Sequence, residues 1–197
     1  WARATFGNQP SVVGPIASIL LASHPALVDY MTPLGLVHIM ATGHHYGPGP
    51  WVSDLPRPEW NPTYYHRADA AGIGFDRTMR GNKAVGQYFP PVRDLFDNLA
   101  TCPEVLLLWF HRLPWDHKLK SGPTLWNAMC AKYQEGARQA AAMQATWQAL
   151  AGQIDAQRHK EVADRMAIQV ADAAKWSEQI LKYFQTFSKL PIPTVKP

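Results

Sequence analysis

With 197 residues, 47% of them hydrophobic and 17% charged, the chain can bury a sizeable core and lacks the composition of a disordered segment. Its formal charge of +4 comes from 19 Lys and Arg interleaved with 15 Asp and Glu, with no basic run above two residues, so no nucleic-acid partner is expected. Two cysteines, Cys102 and Cys130, exclude a disulfide scaffold; two small buried thiols are expected, with a single bridge as the alternative.

The chain begins at Trp1 without an initiator Met and without a charged-then-apolar leader, which reads as an excised or processed piece. Ser11 to Ala22 is an expected helix, and Pro25 to Tyr30 its continuation or a second short one. This apolar run is broken by Gly14 and Pro15 and looks too short to span a bilayer, so no membrane partner is expected. Leu34 to Met40, bounded by Pro33 and Gly43, reads as a buried strand. A strand cannot stand alone, so its partners are expected outside this chain.

Thr42 to Tyr88 has no periodicity and is rich in Gly, Pro, Asn, Tyr, Trp and His, which is loop chemistry with aromatic decoration. Pro90 to Leu99 and Pro103 to Arg112 read as two short helices. Fourteen of the 17 prolines lie at or before Pro123 and the rest at or after Pro191. The proline-free interval between them suits long helices. Leu125, Met129, Tyr133, Ala140, Met143, Trp147, Leu150 and Ile154 form one stripe. Val162, Met166, Val170, Ala173, Trp176, Ile180, Phe184 and Phe187 form another. The pattern predicts an antiparallel hairpin of two long helices, the second over 30 residues, with Thr124 as the cap of the first. The fold class expected is mainly α. Ala141, Ala142, Ile168 and Leu181 lie off the stripes, and this apolar surplus points to a homodimer through the hairpin.

Eight tryptophans are heavy for an ordinary core and direct attention to a carbohydrate ligand. Gly43-His-His-Tyr-Gly-Pro-Gly-Pro-Trp51 follows the apolar run directly, and such loops build ligand sites in α/β folds. His44, His45, Tyr46 and Trp51 are therefore candidates for a sugar-binding rim, Trp51 serving as a stacking platform. The alternative is a rigid loop whose aromatics only pack. Tyr65 and His66, in Trp60-Asn-Pro-Thr-Tyr-Tyr-His-Arg67, are further candidates. The histidines lack a carboxylate or Cys at ligand spacing, so no metal is expected, nor any other cofactor. Asp54, Glu59, Asp69 and Asp76 form no evident acid-base pair. Trp109, Trp115 and Trp126 are expected to lock the short helices onto the hairpin.

Pro33-Leu-Gly-Leu-Val-His-Ile-Met40, Gly43 to Trp51, Trp60 to Asp69, Gly72-Ile-Gly-Phe-Asp-Arg77, Leu99-Ala-Thr-Cys-Pro-Glu104 and Leu106 to Arg112 together resemble the carboxyl-terminal region of glycoside hydrolase family 67 α-glucuronidases. The resemblance implies removal of (4-O-methyl-)glucuronic acid from xylo-oligosaccharides, with inversion and without a cofactor. It implies that residues 1–41 end a (β/α)8 catalytic barrel, 42–88 form a substrate-rim loop and 89–197 a helical domain that dimerises. The catalytic carboxylates would then lie upstream of Trp1, with none in this chain. Secreted and cytoplasmic locations both stay open. A non-enzymatic helical interaction or sugar-binding module is the competing reading.

Overall fold

The structure, a computed structural model, describes residues 1–43 and 45–193. It is mainly helical: α1 (Ala2–Phe6), α2 (Pro10–Met31), α3 (Pro62–His66), α4 (Pro90–Asp97), α5 (Leu107–Phe110), α6 (Leu125–Gln148) and α7 (Ala156–Ser188), with short 3-10 turns between. The chain divides into two compact units, Trp1–Met31 with Tyr133–Ser177 and Thr32–Lys132 with Glu178–Pro197.

In the first unit α2 buries Val12, Ile16, Ile19, Ala26 and Tyr30 along one face. It runs unbroken through Gly14, Pro15 and Pro25. Pro25 withholds a hydrogen bond from the Leu21 carbonyl, but Leu21 is 81% exposed, so water can satisfy that group. Pro25 to Tyr30 is thus the continuation of the first helix and not a second one, and Gly14 and Pro15 do not break the apolar run as expected. Pro10–Gly35 is long and apolar enough to cross a membrane, a test that a packed helix of a soluble protein also passes. Gly136 lets α6 approach α2: a Cβ there would lie 2.8 Å from the Asp29 carbonyl carbon and 2.9 Å from the Ala26 oxygen. Tyr133 Oη donates to the Met31 carbonyl at 3.2 Å, satisfying the last residue of α2. At the α6–α7 turn, Trp147 Nε1 donates to the His159 carbonyl at 3.0 Å, and the two rings stack at 5.8 Å. Asp155 caps α7 through the Arg158 amide at 2.9 Å.

In the second unit the apolar run from Leu34 is not a strand. Leu34 and His38 have φ of 58° and 52°, which interrupts an extended backbone, and Met40 makes only an isolated bridge to Pro48. Leu36 and Ile39 are nonetheless fully buried, so the run is core, as its composition predicts, without being a strand. No strand occurs among the described residues. Pro103 to Arg112 holds a 3-10 turn, Glu104–Leu106, and the single turn α5 rather than one helix.

The long helices lie where the proline-free interval places them, α7 spanning 33 residues. Thr124 Oγ1 accepts the Asn127 amide at 3.3 Å, and Lys189, at φ 58°, ends α7. Leu125, Met129, Trp126, Ile180 and Phe184 are buried, whereas Val162, Met166 and Val170 are half-buried. Leu181 is also buried and so is not surplus, while Ile168 is 70% exposed. Trp115 and Trp126 meet edge to face at 5.7 Å, and Trp126 Nε1 donates to the Pro191 carbonyl at 2.7 Å. Cys102 and Cys130 are buried free thiols, pushed by burial to pKa values of about 11 and about 12.

Two helical glycines should respond oppositely to alanine. A Cβ added at Gly14 would meet nothing within 4 Å, so Gly14→Ala should stabilise the fold by about 0.5–1 kcal/mol. At Gly136 the obstructing atoms are backbone and cannot yield, so Gly136→Ala should cost roughly 1–3 kcal/mol despite its better helix propensity. Denaturant unfolding of both variants reads the two signs directly.

Candidate functional site

The Gly43–Trp51 loop closes on the end of the preceding run. The Ala41 amide donates to the Gly47 carbonyl at 2.9 Å, and the Gly49 amide to the Ile39 carbonyl at 2.9 Å. Only glycine fits at position 49, since a Cβ would lie 2.6 Å from Ala41 Cα. Pro48 and Pro50 are buried in this base, while His45, Tyr46 and Trp51 are exposed. Tyr46 is 78% and Trp51 48% exposed, and the Trp51 ring meets Tyr183 edge to face at 6.2 Å. His45 is exposed on a left-handed backbone, φ 62°. His44, the remaining candidate in the loop, lies outside the described residues.

His66 occupies a different environment: it is only 2% exposed, at the end of α3. Its Nε2 lies 2.8 Å from the Pro50 carbonyl, and its Nδ1 accepts the Ala68 amide at 3.0 Å. A carbonyl can only accept and an amide can only donate, so the ring is the neutral tautomer with its proton on Nε2. Tyr183 and Phe184 face it at 5.7 and 5.1 Å. Burial lowers its pKa to about 4, partly offset by the bond to Pro50. Both ring nitrogens are therefore committed. What His66 does is hold Pro50, and with it the backbone beside Trp51.

Tyr65, the neighbouring candidate, belongs to an aromatic stack. His38 lies 4.3 Å from it at 24°, and Trp109 lies 6.4 Å away at 12°. Tyr65 Oη donates to the Glu59 carbonyl at 2.9 Å. Trp109 thus serves this stack, a correction to its expected role as a lock on the long hairpin. The Arg77 guanidinium sits 3.6 Å from the Trp109 ring centre and 4.2 Å from that of Phe75, and it also donates to the Trp109 carbonyl. Arg77 is buried, which lowers its pKa to about 10. His38 is lowered as well, by burial first and then by the charges of Arg77 and His45, which places His45 near this stack.

The candidates therefore fall into two groups. Trp51 and His66 both contact Tyr183, while Tyr65, with His45 nearby, belongs to the stack of His38, Trp109 and Arg77. The sequence alone assigns no site role to His38, Arg77 or Trp109; each lies in a segment that carries the family resemblance, which is the signal that draws attention to them. Asp69 accepts the Ala71 amide at 2.8 Å and bridges Arg112 at 2.6 Å, interactions that lower its pKa. No three potential metal ligands cluster among the described residues. The arrangement offers exposed aromatic faces beside buried positive charge, which suits stacking against a sugar ring.

Comparison with known proteins gives a family match over nearly the whole chain. A family model described as the C-terminus of glycosyl hydrolase family 67 matches residues 1–196. A probable alpha-glucuronidase A of Aspergillus oryzae is 35% identical over 192 residues, covering 95% of this chain and 22% of that protein. Alpha-glucuronidase A of Aspergillus tubingensis is 33% identical over 195 residues, covering 97% of this chain and 22% of the relative. The chain thus spans about a fifth of the length of the curated relatives it matches.

The His66 geometry carries a pH dependence. Its folded pKa of about 4 lies below the ordinary 6.5, so the unfolded chain takes up the proton first. Stability from this group is complete above about pH 6.5 and falls as the pH drops toward 4. Between pH 7.5 and 5 the chain should lose roughly 1–2 kcal/mol through His66. His66→Gln can donate to Pro50 and accept from Ala68 without titrating, so its unfolding free energy should lack that component.

Proposed function

The chain belongs to the C-terminal family of glycosyl hydrolase family 67, and on that premise we propose that it is the carboxyl-terminal part of an α-glucuronidase. The enzyme removes (4-O-methyl-)glucuronic acid from xylo-oligosaccharides with inversion. The observation that carries the reading is the match over residues 1–196, supported by relatives named for that activity. Inverting hydrolysis needs two carboxylates about 6.5–9.5 Å apart, and these belong to the portion of the enzyme outside residues 1–197. Residues 1–41 hold α2 and no strand, so of the barrel they supply the last helix, while 42–88 supply the substrate rim and 89–197 the helical domain.

At the rim, Trp51 offers a face to a pyranose, with Tyr46 and His45 as exposed polar groups of the same loop; His44, also a candidate, lies outside the described residues. Half-exposure beside Tyr183 supports that role, because the ring is held by an edge-to-face contact while about half of it stays accessible. Tyr65 supports the same edge through its stack with His38 and Trp109, and His66 fixes the backbone beneath it.

The two long helices form an antiparallel hairpin and the dimer surface of the enzyme. The Trp147–His159 contact at one pair of helix ends and the Trp126–Pro191 bond at the other support the pairing. Exposed Ile168 and half-buried Val162, Met166 and Val170 give α7 apolar surface for a second copy. Light scattering on the full-length enzyme tests this point, a monomer in the wild type contradicting it.

In the full-length enzyme, Trp51→Ala should weaken binding of a glucuronic-acid-bearing xylo-oligosaccharide by roughly 1–3 kcal/mol, by analogy with other aromatic stacking platforms. Steady-state kinetics reads this as a raised KM. Unchanged KM and kcat with a lowered melting temperature would make Trp51 a packing residue only.

A further inference from the structure

A cavity of about 520 Å³ is lined among others by Asp76, Thr78, Asp97, Asn98, His111 and Arg112. Its volume is within the range of about 300–1,000 Å³ typical of small-ligand sites. None of its lining residues belongs to the Gly43–His66 stretch.

The lining carries several acceptor atoms that no protein group uses among the described residues. His111 is 7% exposed, and its Nε2 lies 2.8 Å from the Phe96 carbonyl. A carbonyl accepts only, so Nε2 carries the proton, and Nδ1 is left as a lone-pair acceptor with no protein partner among the described residues. Burial lowers the His111 pKa, which keeps the ring neutral. Asp97 uses Oδ1 to accept the Met79 amide at 2.6 Å, and Asp76 uses Oδ1 to accept the Thr78 amide and hydroxyl at 3.0 and 2.7 Å. Each carboxylate keeps its second oxygen outside any protein hydrogen bond among the described residues. Arg112 is committed to Asp69 at 2.6 Å and to the Arg67 carbonyl, and Arg80, the other cation of the wall, is exposed to water.

These features narrow the ligand. Two carboxylates in the wall disfavour an anion. No three potential metal ligands converge among the described residues, which disfavours a bound metal ion. Separated acceptors in a roomy polar cavity suit a neutral molecule with several spaced hydroxyl donors. A second cavity of about 380 Å³ shares the Asn98–Leu99 wall and adds Leu107 and Leu119, apolar surface for the C–H face of a following ring.

We propose that the Asp76–Asp97–His111 cavity is a second carbohydrate site that binds neutral pyranose units of an oligosaccharide, on residues other than those of the Gly43–His66 stretch. It rests on the cavity's own chemistry and stands whether or not Trp51 touches sugar.

Xylotriose is the probe, titrated by calorimetry into the full-length protein carrying Trp51→Ala, so that the aromatic loop contributes no stacking. Binding of about millimolar strength should persist there. Adding Asp97→Asn or Asp76→Asn should weaken it about tenfold, because each replaces the spare acceptor oxygen while keeping the Oδ1 that holds its turn. Two variants are compared, each with its thermal melt, so that a fold defect in one leaves the other informative. Glucuronate should bind more weakly than xylotriose. No binding in the Trp51→Ala protein, equal binding in both folded asparagine variants, or glucuronate binding as well as xylotriose would each overturn the proposal.

Discussion

The arrangement of the aromatic loop depends on one buried imidazole. His66 is donor to Pro50 and acceptor from Ala68 at once, and only the neutral Nε2–H ring can be both. Pro50 immediately precedes Trp51, and Ala68 lies just beyond α3, so a single side chain ties the loop to the helix that carries Tyr65. Leaving either backbone group unpaired in that apolar surrounding would cost about 1–3 kcal/mol. Protonation would set an N–H against the Ala68 N–H and charge the ring beside Phe184.

A second constraint works through positive charge on aromatic faces. Arg77 lies against the rings of Phe75 and Trp109, and Arg67 against those of Phe75 and Tyr64. Gly74, at φ 104° and pressed on the His111 carbonyl, lets the chain pass close enough for Arg77 to reach Trp109. Trp109 is thereby held nearly parallel to Tyr65. The exposed aromatic surface is thus built on buried groups whose own hydrogen bonds are nearly all made, an arrangement that suits a rigid binding rim.

Much of the helical part is legible from the residues alone. Proline's absence and the 3.6-residue spacing locate α6 and α7, and Thr124 marks the start of α6, because those signals are local. The Leu34–Met40 run misleads because a short apolar segment reports burial and not backbone conformation. The left-handed residues at Leu34 and His38 carry no sequence mark, as neither is glycine. Whether Pro25 to Tyr30 continues α2 or starts a new helix stays open in the sequence because proline's local cost depends on whether Leu21 faces solvent, which spacing does not tell. The candidate site is only half legible. Trp51 and Tyr46 stand out by residue type, whereas His66 looks like a ligand contact until the Pro50 carbonyl, 16 residues away, is seen on its ring. Trp109 and the His111 cavity are assembled from segments distant in sequence, which periodicity and spacing cannot join.

The dependence of the loop on a neutral, doubly bonded His66 is tested most directly by 15N NMR of the imidazole nitrogens. The account predicts the Nε2–H tautomer at pH 7 and no titration of the folded ring until well below its ordinary 6.5, near pH 4. A ring titrating near 6.5 in the folded protein, or one protonated on Nδ1, would contradict it.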